Sequence, residues 1–249
     1  MFLNLLYASN ETSDHLWTNL TASEAFLIII VVAVAGMIVQ MRLRSVMAKY
    51  SNEQLPAGLT GAQIAAKMLA ENNIHDVKIV HKGGFLTDYY DPRNKTVNLS
   101  DEIYNGSSIT AAAVACHECG HAIQHAVGYG PLQLRTALVP VVNVSSRLAT
   151  WVVIGGLIMT ATAGSEIICW IGVGLMCMSA LFSIVTLPVE YNASNRALAW
   201  LESSNTLAEK EMQGATIALR WAARTYLVAA LSAIASILYY IALINGRRR

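Results

Sequence analysis

The sequence predicts a mainly α membrane protein: about four transmembrane helices plus a small α+β domain holding a β-hairpin and a His-Glu-x-x-His helix. Composition is the first reason. Of 249 residues, 55% are hydrophobic and 13% charged, with a mean hydropathy of +0.45, whereas a soluble domain carries about 25% charged residues. The second reason is four long apolar segments without a single Lys, Arg, Asp or Glu. The third is that the intervening regions carry their own helix and strand periodicities. A formal net charge of +1 gives no footing for nucleic acid or a polyacidic partner.

A bilayer core about 30 Å thick needs roughly 17–25 apolar helical residues. Segments 25–41, 148–164, 167–189 and 226–244 meet or approach this. Residues 164–166 alone separate the second from the third, which predicts a tight helical hairpin. So many apolar stretches in so short a chain argue against core helices of a soluble protein. Ala33-Val34-Ala35 resembles a signal-peptide cleavage site, but a signal peptide carries positive charge before its apolar run. Here Glu11, Asp14 and Glu24 precede the segment, and Arg42, Arg44 and Lys49 follow it. The first segment therefore reads as an uncleaved anchor.

Basic residues near span ends stay in the cytoplasm. Arg42, Arg44 and Lys49 place the loop after the first span inside and the acidic N-terminus outside. Two further spans return residues 190–225, with Arg196, Lys210, Arg220 and Arg224, to the inside. Glu166 falls in the external turn. Arg247-Arg248-Arg249 also falls outside, against the rule. The chain 1–249 reads as one membrane-integrated domain whose loop regions are 42–147 and 190–225.

Within these regions, residues 60–71 predict a short amphipathic helix with Thr60 as N-cap and Ile64, Met68 and Leu69 on one face. Residues 77–80, 85–90 and 96–99 predict strands. Asp91-Pro92-Arg93-Asn94 predicts the turn of a hairpin. A helix starts near Ser107 or Ser108 and ends near Val127, before Gly128 and Gly130-Pro131. Residues 132–147 predict another helix, bent or broken at Pro140.

Cys116-His117-Glu118-Cys119-Gly120-His121 sits within the predicted helix near 108–127. Four residues advance a helix by about 400° and about 6 Å, so both imidazoles can converge on one ion. Glu118 stands beside them as a general base for water at the metal, whose pKa zinc lowers while polarising a carbonyl. A third protein ligand leaves one tetrahedral position open. A metzincin histidine would stand where Val127 is, which excludes that class. The downstream alternatives are Glu190, Glu202, Glu209 and Glu211. Glu190 ranks first: it ends the third span on the same side as the motif. It also shares a helical face with Ala193, Ser194 and Ala197, whose small side chains permit close approach of the histidine helix.

Three strings carry a resemblance. Tyr89-Tyr-Asp-Pro-Arg runs on through Val97-Asn-Leu-Ser100; then come His117-Glu-Cys-Gly-His-Ala-Ile-Gln124 and Pro188-Val-Glu-Tyr-Asn-Ala-Ser194. Together with the order of spans, they resemble the neutral zinc metallopeptidases of the bacterial YugP-like family over nearly the whole chain. The resemblance implies a gluzincin-like membrane zinc peptidase with one zinc held by His117, His121 and Glu190, and Glu118 as base. A polypeptide substrate and membrane lipid are the expected partners in a bacterial cytoplasmic membrane, and the Lys/Arg distribution puts the site on its cytoplasmic side. The Glu-x-x-Ala pattern is also similar to that of HtpX and CAAX-prenyl-type membrane proteases. Those carry an aspartate four residues after the ligand glutamate, where this chain has Ser194; Ser194 or Asn192 would then steady a ligand histidine.

Other residues invite a role. His125, one turn beyond His121, is a candidate second support or transition-state donor, against a plain helix-end residue. Arg196 is a candidate oxyanion donor, against a boundary arginine. Cys116 and Cys119 read as small packing residues, and the four cysteines do not form a secreted disulfide framework. The 85–90 strand is a candidate edge for an extended peptide, against a structural hairpin. The competing class to an endopeptidase is a non-proteolytic membrane protein with a structural zinc, which would need ligands but no Glu118. Metal transport would need ionisable residues inside the spans, and they hold none.

Overall fold

The computed structural model describes residues 20–56, 58–84, 87–163 and 166–246. In chain order these form α1 (Ala22–Ser51), α2 (Gly61–Glu71), β1 (Lys78–Lys82), β2 (Tyr89–Asp91), β3 (Thr96–Ser100) and α3 (Asp101–Asn105). They continue with α4 (Ile109–Ala126), α5 (Gly130–Ala163), α6 (Ile167–Ser203) and α7 (Glu209–Gly246). Helices α1, α5, α6 and α7 are long and apolar enough to cross a membrane. The expected spans lie inside these four helices, although residue 164 of the second is not among those described.

Each of these helices outruns its apolar window, because backbone hydrogen bonding propagates into polar sequence as readily as apolar. The helix expected over 132–147, bent or broken at Pro140, is not broken there: α5 runs on through Pro140 into the second span. A proline removes one helical hydrogen bond and crowds the preceding turn, which a 34-residue helix absorbs. Pro188 lies inside α6 in the same way.

The chain divides into two compact units. The first comprises the described residues of Met1–Gly36, Val139–Ser183 and Val228–Arg249. Its helices approach closely at glycines: a Cβ on Gly172 would lie 2.3 Å from Cγ2 of Val153, and one on Gly156 2.6 Å from the Cys169 nitrogen. Small residues at such crossings allow backbones into contact where no water is present to drive packing. Cys169, Val173 and Ile244 are buried there, while Trp151, Ile158, Ile167 and Ile171 are exposed. That is the surface a helix offers to lipid.

The second unit comprises Met37–Leu138 and Ile184–Leu227. Its sheet has the order β1-β3-β2, with β1 parallel and β2 antiparallel to β3. The β2–β3 connection is the expected hairpin. The Asp91 carboxylate accepts from the Arg93 and Asn94 backbone nitrogens at 2.8 and 3.3 Å and from Asn94 Nδ2 at 2.7 Å. Strand β2 starts only at Tyr89, shorter than the expected 85–90, of which residues 85–86 lie outside those described. The Asp88 carboxylate, just before the strand, accepts from the Ser100 backbone nitrogen at 2.7 Å and from the Ser100 hydroxyl at 3.1 Å. Thr60 and Gln63 form a capping box at the start of α2, whose Ile64, Met68 and Leu69 are buried as the periodicity requires. Helix α4 begins at the expected cap: the Ser108 hydroxyl accepts from the Ala111 nitrogen. Its alanine-rich length is buried in the core.

Candidate metal centre

Helix α4 carries His117 and His121 on one face. Their rings stand nearly perpendicular, with centroids 4.8 Å apart. Glu190 enters from α6, and its side chain is nearly inaccessible. Its Oε2 lies 3.2 Å from His117 Nε2 and 3.5 Å from His121 Nε2. One donor atom from each of the three residues lies within 4.8 Å of the others.

Small residues create this convergence. A Cβ on Gly120 would stand 2.5 Å from the Ala193 carbonyl oxygen, so α4 and α6 touch backbone to backbone one residue before His121. Ala193 and Ala197 are fully buried at the crossing. The face of Glu190, Ala193, Ser194 and Ala197 singled out in the sequence is therefore the face turned to α4.

The donor set fits a zinc ion. Bonds of about 2.0–2.2 Å in tetrahedral geometry place ligand atoms about 3.4 Å apart, and the two nitrogen-to-Oε2 separations straddle that value. Hydrogen bonds to Nδ1 also hold both histidine rings in place. Gln124 Nε2 donates to the Val189 carbonyl at 2.7 Å and to Asn192 Oδ1 at 3.0 Å, which leaves Gln124 Oε1 as the acceptor facing His121 Nδ1 at 3.0 Å. His121 Nδ1 thus donates to Gln124, which leaves Nε2 as the ring atom directed to Glu190 and available to a metal. Ser194 Oγ lies 3.1 Å from His117 Nδ1 and can fix that ring in the same way.

Glu118 is buried. Burial pushes its carboxyl above the ordinary range, against the pull of the neighbouring histidines. Arg135, from the first turns of α5, places Nη1 3.3 Å from Glu190 Oε1. Tyr226 on α7 lies near enough for the Glu190 charge to act on its phenol. Arg135, Tyr226 and Gln124 are absent from the candidate residues of the sequence reading. Gln124 had a legible signal, one helical turn after His121. Arg135 and Tyr226 had none, because only tertiary packing brings α5 and α7 to the site.

The remaining candidates fall elsewhere. His125 Nδ1 pairs with the Tyr90 hydroxyl at 2.8 Å, tying the end of α4 to edge strand β2; burial pushes the Tyr90 phenol up to about 12. Arg196 Nε donates to Asn192 Oδ1 at 2.8 Å. Asn192 therefore reaches the histidines only through Gln124. Cys116 and Cys119 are buried free thiols, and burial raises both well above the ordinary thiol range, in keeping with packing.

A family model described as "Putative neutral zinc metallopeptidase" matches residues 25–245. The chain is 39% identical over 209 residues to the "Putative membrane protease YugP" of Bacillus subtilis (strain 168), covering 84% of this chain and 91% of that protein. No solved structure matches.

Proposed function

Because the chain belongs to the putative neutral zinc metallopeptidase family, we propose that it is a membrane-bound, zinc-dependent endopeptidase. It would hydrolyse peptide bonds of membrane or membrane-proximal polypeptides on the cytoplasmic side of a bacterial cytoplasmic membrane. His117, His121 and Glu190 would hold one zinc per chain in a gluzincin-like arrangement, two histidines from one helix and a glutamate from a later one. The supporting observation is a buried Glu118 on the same helix as two histidines whose nitrogens gather with Glu190 within 4.8 Å of one another.

When bound, zinc supplies Lewis acidity, lowering the pKa of water and polarising the scissile carbonyl. Glu118 is one residue from a ligand but about 100° around the helix, so it faces the reacting water while the histidines face the ion. It takes the water's proton and returns it to the leaving amine. Gln124 and Ser194 keep the imidazoles oriented. Strand β2, an edge of the sheet linked to α4 through Tyr90 and His125, offers an extended peptide a partner for strand pairing.

The competing reading, a structural zinc, needs no carboxylate at position 118. Glu118→Gln decides between the two, because it keeps shape but cannot accept the proton. The variant should fold and bind zinc as the wild type does, while cleavage of a casein-like or membrane substrate falls by about 100-fold or more. Unchanged cleavage would sink the mechanism. A wild-type protein that holds zinc yet cleaves nothing across a broad substrate panel would favour the structural reading.

A further inference from the structure

The carboxylate of Glu190 is held from two sides. His117 and His121 face Oε2 at 3.2 and 3.5 Å, and Arg135 Nη1 faces Oε1 at 3.3 Å. Only 2% of the Glu190 side chain is accessible, against 29% for Arg135. The guanidinium therefore reaches from the edge of the site to an oxygen that water hardly sees.

A carboxylate can bind a metal through one oxygen or both. If Oε2 joins the two histidine nitrogens on the ion, Oε1 keeps full acceptor capacity in a dry site, where an unpartnered charged oxygen is costly. Without a partner, Oε1 would turn towards the ion and fill the position that water or substrate requires. With a cation already on Oε1, that rotation breaks an ion pair. We propose that Arg135 is a positioning residue that confines Glu190 to one-oxygen coordination and so keeps the fourth position open. The inference rests on the metal-site reading above, and it assigns Arg135 a function the ligand motif does not contain.

The test uses full-length protein in detergent, loaded with cobalt(II), whose visible absorption is intense when four-coordinate and weak at higher coordination. Zinc affinity is measured in parallel by competition with a chromophoric chelator. Wild-type protein should give the intense spectrum. Arg135→Met should give the weak one and bind zinc about 10- to 100-fold less tightly, the scale of losing a group that orients a metal ligand. Arg135→Lys, which keeps the charge, should recover much of the intensity. A purely structural arginine would lower thermal stability without altering the spectrum. If Arg135→Met does not fold, Arg135→Gln is read by the same criterion. An unchanged spectrum and affinity in the folded variant overturns the positioning role and leaves the metal site standing. A wild-type protein that binds neither cobalt nor zinc overturns the metal site and this role together.

Discussion

Gln124 uses both ends of its amide and is fully buried. Its oxygen faces His121 Nδ1, and its nitrogen donates to Val189 and Asn192 across the α4–α6 crossing. One side chain thus holds a histidine ring and ties together the helices that bear the candidate ligands. Gln124→Ala removes three hydrogen bonds, each worth about 1 kcal/mol, and should weaken zinc binding by about 10- to 100-fold in a chelator competition. Asn192→Ala, which touches neither histidine, should cost less. Equal affinities for Gln124→Ala and wild type would show that the ring needs no such support. The placement of His117 and His121 on one face, with Glu118 beside them, was legible because helix geometry alone relates these positions. Glu190 was legible because topology and a small-residue face agreed. Gln124 stands one turn after His121 and could have been read from that spacing, but its bond across 65 residues to Val189, like the placement of Arg135 beside Glu190, leaves no periodicity to read.

At the scale of elements, the crossing of α4 and α6 depends on Gly120. Any side chain there meets the Ala193 carbonyl, a backbone atom that cannot step aside without moving α6. Gly120→Val should separate the helices, costing about 1–3 kcal/mol as overpacking does, and should carry Glu190 away from the histidines. Zinc affinity and melting temperature should therefore fall together. Retention of both would mean that the two helices do not need this contact. Helix starts were readable where local chemistry writes them: Thr60 and Ser108 cap α2 and α4 with their own hydroxyls. The continuity of α5 was not, since one proline signals a break in a short helix and a tolerated defect in a long one. Helix α3 escaped notice because five residues carry no resolvable period. The hairpin turn was written by Asp91, but the strand before it starts only at Tyr89, just after Asp88, whose carboxylate bonds to Ser100, a contact across the sheet that no local pattern announces.

At the scale of the whole molecule, charge separates the two units. Among the described residues, every Lys and Arg except Arg147 lies in the unit that contains His117, His121 and Glu190, as does every acidic residue except Glu24 and Glu166. A nearly uncharged unit with exposed Trp151, Ile158 and Ile167 suits hydrocarbon, where a charge at mid-bilayer costs about 2.5–3.5 kcal/mol on insertion scales. The charged unit suits water, and its excess of basic residues beside the span ends suits the cytoplasmic face. Single cysteines introduced at Lys82 and Glu209, in a background lacking the native thiols, should resist a membrane-impermeant maleimide in intact cells and react once the membrane is opened. Cysteines at Asn10 and Ser165, which lie outside the described residues, should react in intact cells. Arg247-Arg248-Arg249, also outside them, puts the strongest strain on this orientation, because four spans from an external N-terminus leave it external. Removing those three arginines should leave the labelling pattern unchanged if the basic residues after the first span and before the fourth set orientation. Labelling at Lys82 from outside intact cells would invert the topology and place the metal centre on the opposite face of the membrane.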